Sequence, residues 1–411
     1  MKKYLALLLV LVMVLSLAAC ASKPAETTEP APAETTDTTP TEETKDEEPA
    51  PAEETKTEEE PAEASEYAVA MITDYGDITD QSFNQTTYEA CKDWASANGV
   101  EFNYFKPATN DDADRVASIE EAIEQDYNVI VMPGYAFAPA IVEVAPDYED
   151  VKFVALDVSQ YDLDTASGTT DWKSDNTFCA VYQEEIAGYM AGVAAVKLGY
   201  KKLGFLGGMA VPAVIRYGYG FVQGAEAAAK ELGLTDVEIK YAYGNQFYGD
   251  ADITARMDTW YGAGTEVVFA CGGGIFTSAA EAAAKTNGKV IGVDVDQAAA
   301  IDGDYGEGMT VTSAMKGLSA TVNTLLTEIK GGNWSKYAGT LQNLGMVSGD
   351  DPTENYVQLG TTQYDDNFTE DDYKAMVADI YDGKIKIDNN SDVDLSAYEG
   401  TVAVSFEGNI K

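Results

Sequence analysis

The sequence predicts an α/β protein made of two doubly wound lobes, each with a mostly parallel sheet. Two observations support this fold class. From residue 67 onward, short apolar runs alternate with segments of helical spacing, which is the pattern of βαβ units. The chain has 411 residues, of which 45% are hydrophobic, and this is enough for two or three packed domains. Two such lobes facing each other would form a cleft at the carboxyl ends of their strands.

The elements can be placed in chain order. Strands are predicted at residues 67–73, 101–106, 128–132, 152–157, 202–206, 237–243, 267–270, 290–293 and 309–312. Helical spacing is visible between them, as in Ala117, Ile119, Ala122 and Ile123. Further helices are predicted at residues 184–196, about 212–232, 251–261, 279–285, about 316–329 and 370–381.

This order of elements suggests how the lobes divide the chain. We expect lobe 1 to comprise residues 67–172 and about 297–345, and lobe 2 to comprise about 173–296 and about 346–411. The chain then crosses between the lobes near residues 160–180, 295–310 and 345–360. Several crossings of this kind would act as one hinge.

The first 66 residues differ from the rest in composition. A basic start (MKK) and an apolar run at residues 4–17 are typical of a secretory signal. The run ends in LAAC at residues 17–20, which resembles the bacterial lipobox, in which the cysteine is acylated. We therefore expect a lipoprotein signal peptide at residues 1–19, a lipid (palmitate) anchor on Cys20, and a disordered acidic tether to residue 66. This predicts a position on the outer face of the cytoplasmic membrane of a Gram-positive bacterium.

Charge and composition exclude several classes of function. There are 26 basic and 70 acidic residues, and a formal net charge of −44 repels phosphate backbones, so we expect no nucleic-acid partner. Histidine is absent, which argues against Ser-His or Cys-His catalysis and against a His-based metal site. Cys91, Cys179 and Cys271 match no zinc or redox spacing and are expected to be buried apolar residues. We predict no catalytic residue, no cofactor and no metal.

Candidate ligand-binding residues follow the strands of lobe 1. Asp74 ends the first strand, where a carboxylate can accept two hydroxyl hydrogens of a ribose; an aspartate that only forms a turn is the alternative. Phe83 and Asn84 follow Ser82, which is placed as a helix N-cap; the ring can stack on a base and the amide can bond its edge, or Phe83 can be a core residue. Asp157 ends the fourth strand and can accept from a purine N–H, or simply terminate the strand.

Lobe 2 supplies the other candidates. Phe247 lies in the loop after a strand, where it can form the second side of a stacking clamp or pack on its own lobe. Gly272 begins a three-glycine run that permits close backbone approach. Of Asp294 and Asp296, which alternate across a strand end, we choose Asp294 as the one that faces a ligand. Lys316 is predicted to start a helix, where its charge opposes the helix dipole; it can donate to a ribose hydroxyl or be a solvated surface lysine.

Six blocks of sequence share their order with one protein family. They are residues 73–85 (TDYGDITDQSFNQ), 153–157 (FVALD), 204–224 (GFLGGMAVPAVIRYGYGFVQG), 268–274 (VFACGGG), 291–297 (IGVDVDQ) and 312–316 (TSAMK). Together they resemble the basic membrane protein (BMP) family, the substrate-binding lipoproteins of ABC transporters that include the PnrA-type nucleoside receptors. The resemblance covers nearly everything after the tether.

The resemblance implies a periplasmic-binding-protein type I fold with a nucleoside held between the lobes. It assigns base contacts to Asn84 and Asp157, and stacking to Phe83 or a near neighbour and to Phe247. It assigns ribose contacts to four residues: Asp74, Gly272, Asp294 and Lys316. The sequence departs from the family pattern around the second aromatic, so that Tyr248 can share the stacking, and Cys271 stands where alanine is common.

Four functions follow as hypotheses, of which a purely adhesive lipoprotein is the weakest. The first is a monomeric, lipid-anchored receptor that binds a nucleoside of the guanosine, inosine or adenosine class, makes and breaks no bond, and delivers its ligand to an ABC transporter permease. The second is the same fold serving a sugar or a small signal molecule. The third is a nucleoside hydrolase that uses Asp74 and Asp157 or Asp294, with Ca²⁺ held by carboxylates.

Overall fold

The computed structural model describes residues 66–74 and 76–411. The predicted signal peptide, the lipidation site Cys20 and the predicted tether up to residue 65 lie outside the described residues. Within the described part, the strands are β1 (Ala68–Ile72), β2 (Glu101–Phe105), β3 (Val129–Pro133), β4 (Lys152–Leu156), β5 (Thr177–Tyr182), β6 (Lys202–Gly207), β7 (Glu238–Tyr243), β8 (Val267–Cys271), β9 (Lys289–Asp294), β10 (Thr310–Lys316), β11 (Thr340–Leu344), β12 (Val357–Leu359) and β13 (Ala403–Asn409).

The α-helices connect these strands. In chain order they are α1 (Phe83–Asn98), α2 (Asp112–Glu124), α3 (Ala138–Val144), α4 (Gln160–Ser167), α5 (Glu184–Lys197), α6 (Pro212–Leu232), α7 (Ala251–Gly262), α8 (Phe276–Ala284), α9 (Ala298–Tyr305), α10 (Leu318–Lys330) and α11 (Glu370–Tyr381). None of the helices in residues 66–74 and 76–411 combines the length and apolar character that a membrane span requires.

The strands form two sheets, one in each lobe. The first has the order β11-β5-β4-β3-β1-β2, and the second has the order β12-β10-β9-β8-β6-β7-β13. All neighbouring strands pair in parallel except β12, which is antiparallel to β10. Inner strands such as β3 (VIVMP) are buried along their whole length, because helices cover both faces of a parallel sheet. The predicted α/β class with two parallel-dominated lobes is confirmed.

The chain passes between the two sheets after β5, after β10 and after β11. The last passage falls between Leu344 and Val357, within the predicted range of 345–360. The other two passages differ from the prediction. Strand β5, expected in lobe 2, pairs with β4 in the first sheet, and β10, expected in lobe 1, pairs with β9 in the second. Strand β5 was not predicted as a strand, so its residues could not be assigned to a sheet. For β10, apolar patterning identified a strand but not the strand with which it pairs.

Helices α5 and α6 cross in close contact in lobe 2. A Cβ added at Gly188 or Gly192 would lie 2.1 or 2.2 Å from a backbone oxygen of α6, and one at Gly220 or Gly224 would lie 2.1 or 2.0 Å from a backbone oxygen of α5. Only glycine allows backbones to approach this closely. The crossing holds the first turn of α5 against the first turns of α6, at the edge of the cleft between the lobes.

Candidate ligand-binding cleft

The eight residues predicted to bind a ligand line one cleft between the lobes, which contains about 790 Å³ of empty space, part of it open to solvent. Their backbone positions are the ends of strands or the first turn that follows. The first lobe contributes Asp74, Phe83, Asn84 and Asp157, and the second contributes Phe247, Gly272, Asp294 and Lys316.

Two of the carboxylates reach the cleft through an unusual backbone conformation. Asp157 follows β4 with φ of +62°, and Asp294 ends β9 with φ of +65°. Aspartate is among the few residues that tolerate this left-handed region without a large steric cost. The turn stops the strand at that residue, and both aspartates line the cleft.

Lys316 is a buried cation that lines the cleft. Its ammonium donates to Asp157 Oδ2 at 2.7 Å and lies 3.5 Å from Glu184 Oε1 and 3.7 Å from Asp294 Oδ1. It also lies 4.7 Å from the centroid of the Phe83 ring. The prediction that Lys316 starts a helix is wrong, because it is the last residue of β10 and α10 begins at Leu318. The alternative of a solvated surface lysine is wrong as well, since Lys316 is only 5% exposed.

Burial and neighbouring charges shift the proton affinities of this cluster. Burial raises the pKa of Asp157 to about 6, and the charges of Glu184 and Asp294 act in the same direction, while Lys316 opposes them. Burial alone would lower the pKa of Lys316, but the three carboxylates around it raise that pKa well above its usual value. Lys316 therefore stays charged at physiological pH.

The sequence did not point to Glu184 or Arg216, which complete the charge cluster. Arg216 Nε on α6 donates to Glu184 Oε2 on α5 at 2.7 Å, and the Glu184 side chain is fully buried. The sequence does contain one indication of Glu184: two glutamates, Glu184 and Glu185, begin a helix whose other residues are almost all apolar. Acids that open an apolar helix are favourable to its dipole and are easily taken for ordinary helix-start residues.

A third missed residue, Asp80, holds the start of α1. Its carboxylate accepts hydrogen bonds from the backbone N–H groups of Ser82, Asn84 and Gln85 and from Asn84 Nδ2, all at 2.9–3.0 Å. Ser82 occupies the predicted N-cap position, but its hydroxyl does not cap the helix. Asp80 takes that role and fixes the Asn84 amide at the same time. Gly76 leaves the space, since a Cβ there would lie 1.7 Å from Asn84 Nδ2.

The lobes are joined across the cleft by direct hydrogen bonds besides the one from Lys316 to Asp157. The Ser82 hydroxyl donates to Asp294 Oδ2 at 2.7 Å, and Gln297 Nε2 donates to the backbone oxygen of Gln81 at 3.0 Å. Gln81 and Ser82 precede α1 in lobe 1, whereas Asp294 and Gln297 follow the core of β9 in lobe 2. These contacts hold the described structure in a closed arrangement.

Of the candidate aromatics, Phe83 and Phe247 line the cleft and Tyr248 does not. Tyr248 is 61% exposed, so the suggestion that it shares the stacking is not supported by its position. The Phe247 ring packs directly against the backbone of Gly208 and Gly272. A side chain at either position would crowd the ring, since a Cβ at Gly208 would lie 2.4 Å from it and one at Gly272 would lie 3.2 Å from it. The three cysteines Cys91, Cys179 and Cys271 are free and buried, as predicted.

The arrangement is suited to binding rather than to reaction. In residues 66–74 and 76–411, no group of three or more His, Cys, Asp or Glu side chains is placed to hold a metal ion. The buried carboxylates of the cleft are paired with Lys316 and Arg216. Acceptors, one ammonium and two rings directed at one space can recognise a flat polar molecule that carries hydroxyl groups.

Comparison with known proteins identifies the family. A family model, Bmp, described as ABC transporter substrate-binding protein PnrA-like, matches residues 67–349. The chain belongs to the Bmp family. Proteins of this family are substrate-binding proteins of ABC transporters, so the chain binds a small ligand and delivers it to a transporter permease. The Bmp family is not a family of enzymes, which confirms that prediction and argues against the hydrolase hypothesis.

Individual relatives cover most of the chain. The CD4+ T-cell-stimulating antigen of Listeria innocua is 29% identical over 79% of this chain and 88% of its own length. The ABC transporter nucleoside-binding protein BmpA of Lactococcus lactis subsp. cremoris is 28% identical over 77% of this chain and 88% of its own length. An ABC transporter system solute-binding protein from Aeropyrum pernix K1, at 20% identity, superposes with a TM-score of 0.60 over 78% of this chain and 87% of that one. The last comparison confirms the periplasmic-binding-protein type of fold.

Proposed function

We propose that this Bmp protein captures a nucleoside, a purine nucleoside in the first place, between its two lobes. One observation carries the proposal: a ring from each lobe, Phe83 and Phe247, lines the same cleft as the buried cluster of Lys316, Asp157 and Asp294. Aromatic rings are suited to stack on a base, and carboxylates with an ammonium are suited to bind ribose hydroxyls. The Lactococcus relative is named as a nucleoside-binding protein, which supports the same proposal.

The proposed roles follow from position. Asn84 and Asp157 bond the base, and Phe83 and Phe247 stack on it. Four residues contact the ribose: Asp74, Gly272, Asp294 and Lys316. Stacking and several charge-assisted bonds in a closed cleft are compatible with micromolar or tighter affinity, which is about −8 kcal/mol or better.

The proposal also covers location and partners. The protein is a monomer held by an acylated Cys20 on the outer face of the cytoplasmic membrane of a Gram-positive bacterium, and the acidic tether lets its lobes reach the permease. The lipobox-like sequence at residues 17–20 supports the anchor. Stable anchoring of this kind needs more than one acyl chain.

Two aspartates that are separated by one residue allow a matched test of the site. Asp294 lines the cleft, whereas Asp296 is exposed and accepts hydrogen bonds from Thr361. In isothermal titration calorimetry with guanosine, inosine and adenosine, we expect Asp294→Asn to weaken binding by at least about tenfold and Asp296→Asn to leave it unchanged. Equal affinities of both variants and the wild-type protein would refute the site. A thermal shift with sugars but with no nucleoside would refute the ligand class.

A further inference from the structure

The cleft contains a buried hydroxyl, that of Tyr217, to which no role has been assigned. Tyr217 lies on α6, lines the cleft and is 1% exposed, yet its hydroxyl has no hydrogen-bond partner among the described residues. By contrast, the buried Tyr261 donates its hydroxyl to the backbone oxygen of Lys289 at 2.6 Å. Buried polar groups in folded proteins are nearly always paired, because an unpaired one loses its hydrogen bond to water and gains nothing in return. The Tyr217 hydroxyl is therefore suited to bond a ligand.

The ring of Tyr217 is held in place by packing that does not involve its hydroxyl. It meets the Phe269 ring edge-on, with 5.9 Å between centroids and 89° between planes, and the Lys316 ammonium lies 5.8 Å from its centroid. The backbone is held as well, because a Cβ added at Gly188 would lie 2.1 Å from the Tyr217 carbonyl oxygen. A phenylalanine would make the same contacts. Packing thus accounts for the ring of Tyr217 but not for its hydroxyl.

The hydroxyl lies close to Asp294. Burial raises the pKa of Tyr217 well above its usual value, and among its charged neighbours Asp294 adds most to that rise, followed by Glu184. Because a charge acts more strongly the nearer it is, this order places the hydroxyl nearest Asp294. The raised pKa also keeps Tyr217 neutral, so its O–H is retained. Asp294 Oδ2 accepts from Ser82 at 2.7 Å, whereas Oδ1 lies 3.7 Å from Lys316, beyond hydrogen-bond distance, and can accept from a ligand.

A ligand group that lies between the Tyr217 hydroxyl and Asp294 Oδ1 has to meet two requirements. It has to carry a hydrogen, because a carboxylate accepts hydrogen bonds. It also has to offer a lone pair, since the Tyr217 O–H has no acceptor among the described residues. An alcohol meets both requirements, whereas a carbonyl oxygen lacks the hydrogen and a protonated ring nitrogen lacks the lone pair. In a nucleoside, the alcohols are the hydroxyl groups of the sugar.

We propose that Tyr217 is a further ligand-binding residue, whose hydroxyl donates a hydrogen bond to a sugar hydroxyl that in turn donates to Asp294. This inference rests on the proposed nucleoside-binding function. It adds an uncharged donor from α6 to the charged groups that contact the sugar, and it makes affinity depend on one particular sugar hydroxyl.

The test uses calorimetry with inosine and with its 2′-deoxy, 3′-deoxy and 5′-deoxy analogues, each of which lacks one sugar hydroxyl. Tyr217→Phe removes the hydroxyl and keeps the ring, and we expect it to weaken inosine binding by about three- to tenfold. The analogue that lacks the hydroxyl bonded by Tyr217 should bind equally well to the wild-type protein and to Tyr217→Phe, because neither complex can form the bond. The other two analogues should lose affinity on substitution as inosine does.

Tyr261→Phe is the control, because it also removes a buried hydroxyl from the second lobe, and Tyr261 is not among the residues that line the cleft. It loses the bond to Lys289, so we expect a smaller free energy of unfolding in urea and an unchanged affinity for inosine. Tyr217→Phe should show the opposite pattern, with weaker binding and no loss of stability, since its hydroxyl has no partner among the described residues.

Two results would overturn the inference. One is Tyr217→Phe binding inosine as tightly as the wild-type protein does. The other is a loss of affinity by the same factor for inosine and all three analogues. If Tyr217→Phe does not fold, a crystal structure of the wild-type protein with inosine decides, and the absence of a sugar oxygen within about 3.0 Å of the Tyr217 hydroxyl would overturn the inference. If the wild-type protein binds no nucleoside, the proposed function itself fails, which is a different outcome from binding that ignores Tyr217.

Discussion

Lys316 shows how one residue can determine the character of a site. It is buried among Asp157, Glu184 and Asp294, and it comes within cation–π distance of Phe83. Charges buried in this way are costly unless they are paired, and removing one partner of a buried pair typically costs about 3–5 kcal/mol. Substitution of Lys316 is therefore expected to affect stability as well as binding. Asp294→Asn is the milder change, because it keeps the shape of the side chain and leaves Lys316 paired with Asp157 at 2.7 Å.

Glu185 gives a prediction about pH. It is buried beside Glu184, and burial together with the charge of Glu184 raises its pKa from 4.5 to about 7. The folded state thus binds this proton more tightly than the unfolded state, so the contribution of Glu185 to stability falls as pH rises from about 4.5 to 7. In urea unfolding we expect Glu185→Gln to be more stable than the wild-type protein at pH 8 by about 1–3 kcal/mol, and the difference to shrink towards pH 5.

The exposed Glu120 on α2 provides the control for this prediction. Glu120→Gln should leave the dependence of unfolding free energy on pH as it is in the wild-type protein. If Glu185→Gln showed the same dependence as Glu120→Gln, the buried ionisation at Glu185 would play no part in stability.

The residues that could be predicted are those at strand ends. Asp74, Asp157 and Asp294 follow apolar runs, and the carboxyl ends of parallel strands gather at one edge of a sheet. Glu184 and Arg216 could not be predicted in the same way, because they meet only through the close crossing of α5 and α6. The role of Asp80 could not be predicted either, since a carboxylate two residues before a serine at the N-cap matches no recognised capping pattern.

At the level of elements, the start of α1 and the end of β9 act together. Ser82 is fully buried and its hydroxyl donates across the cleft to Asp294. A bond between lobes stabilises the closed state only, and ligand release requires that state to open. The elements on the two sides of the cleft therefore contribute directly to how long a ligand stays bound.

Ser82→Ala tests this contact. One lost hydrogen bond to a charged acceptor should weaken nucleoside affinity by about three- to thirtyfold, mainly through faster dissociation, as measured by stopped-flow fluorescence. Ser118 is a suitable control, because it is also a buried serine but donates to Asp114 within its own helix. Dissociation as slow from Ser82→Ala as from Ser118→Ala would mean that the contact does not hold the lobes closed.

The bounds of an element were predicted well where its periodic apolar pattern was long. Helix α6 begins and ends where its helical spacing indicated, at Pro212–Leu232. Strand β5 was missed, and β10 was cut short at Thr312 although it continues to Lys316. The extra residues of β10 are stabilised by pairing with both β9 and β12, and such tertiary pairing is not encoded in the local sequence.

On the scale of the whole molecule, two sheets joined by three passages of the chain form a hinged receptor. The passages follow β5, β10 and β11. Two of them adjoin the charge cluster: Glu184 comes directly after the passage that follows β5, and Lys316 is the last residue before the passage that follows β10. The cluster thus lies at the base of the hinge as well as in the binding cleft. Membership of the Bmp family agrees with this architecture, since substrate-binding proteins of ABC transporters close around a ligand and open to release it.

A crystal structure of the protein grown with saturating inosine tests the central claim most directly. We predict electron density for one inosine between the lobes, with the base between Phe83 and Phe247 and the ribose against Asp294 and Lys316. An empty cleft under these conditions, or inosine bound away from these residues, would contradict the proposed function.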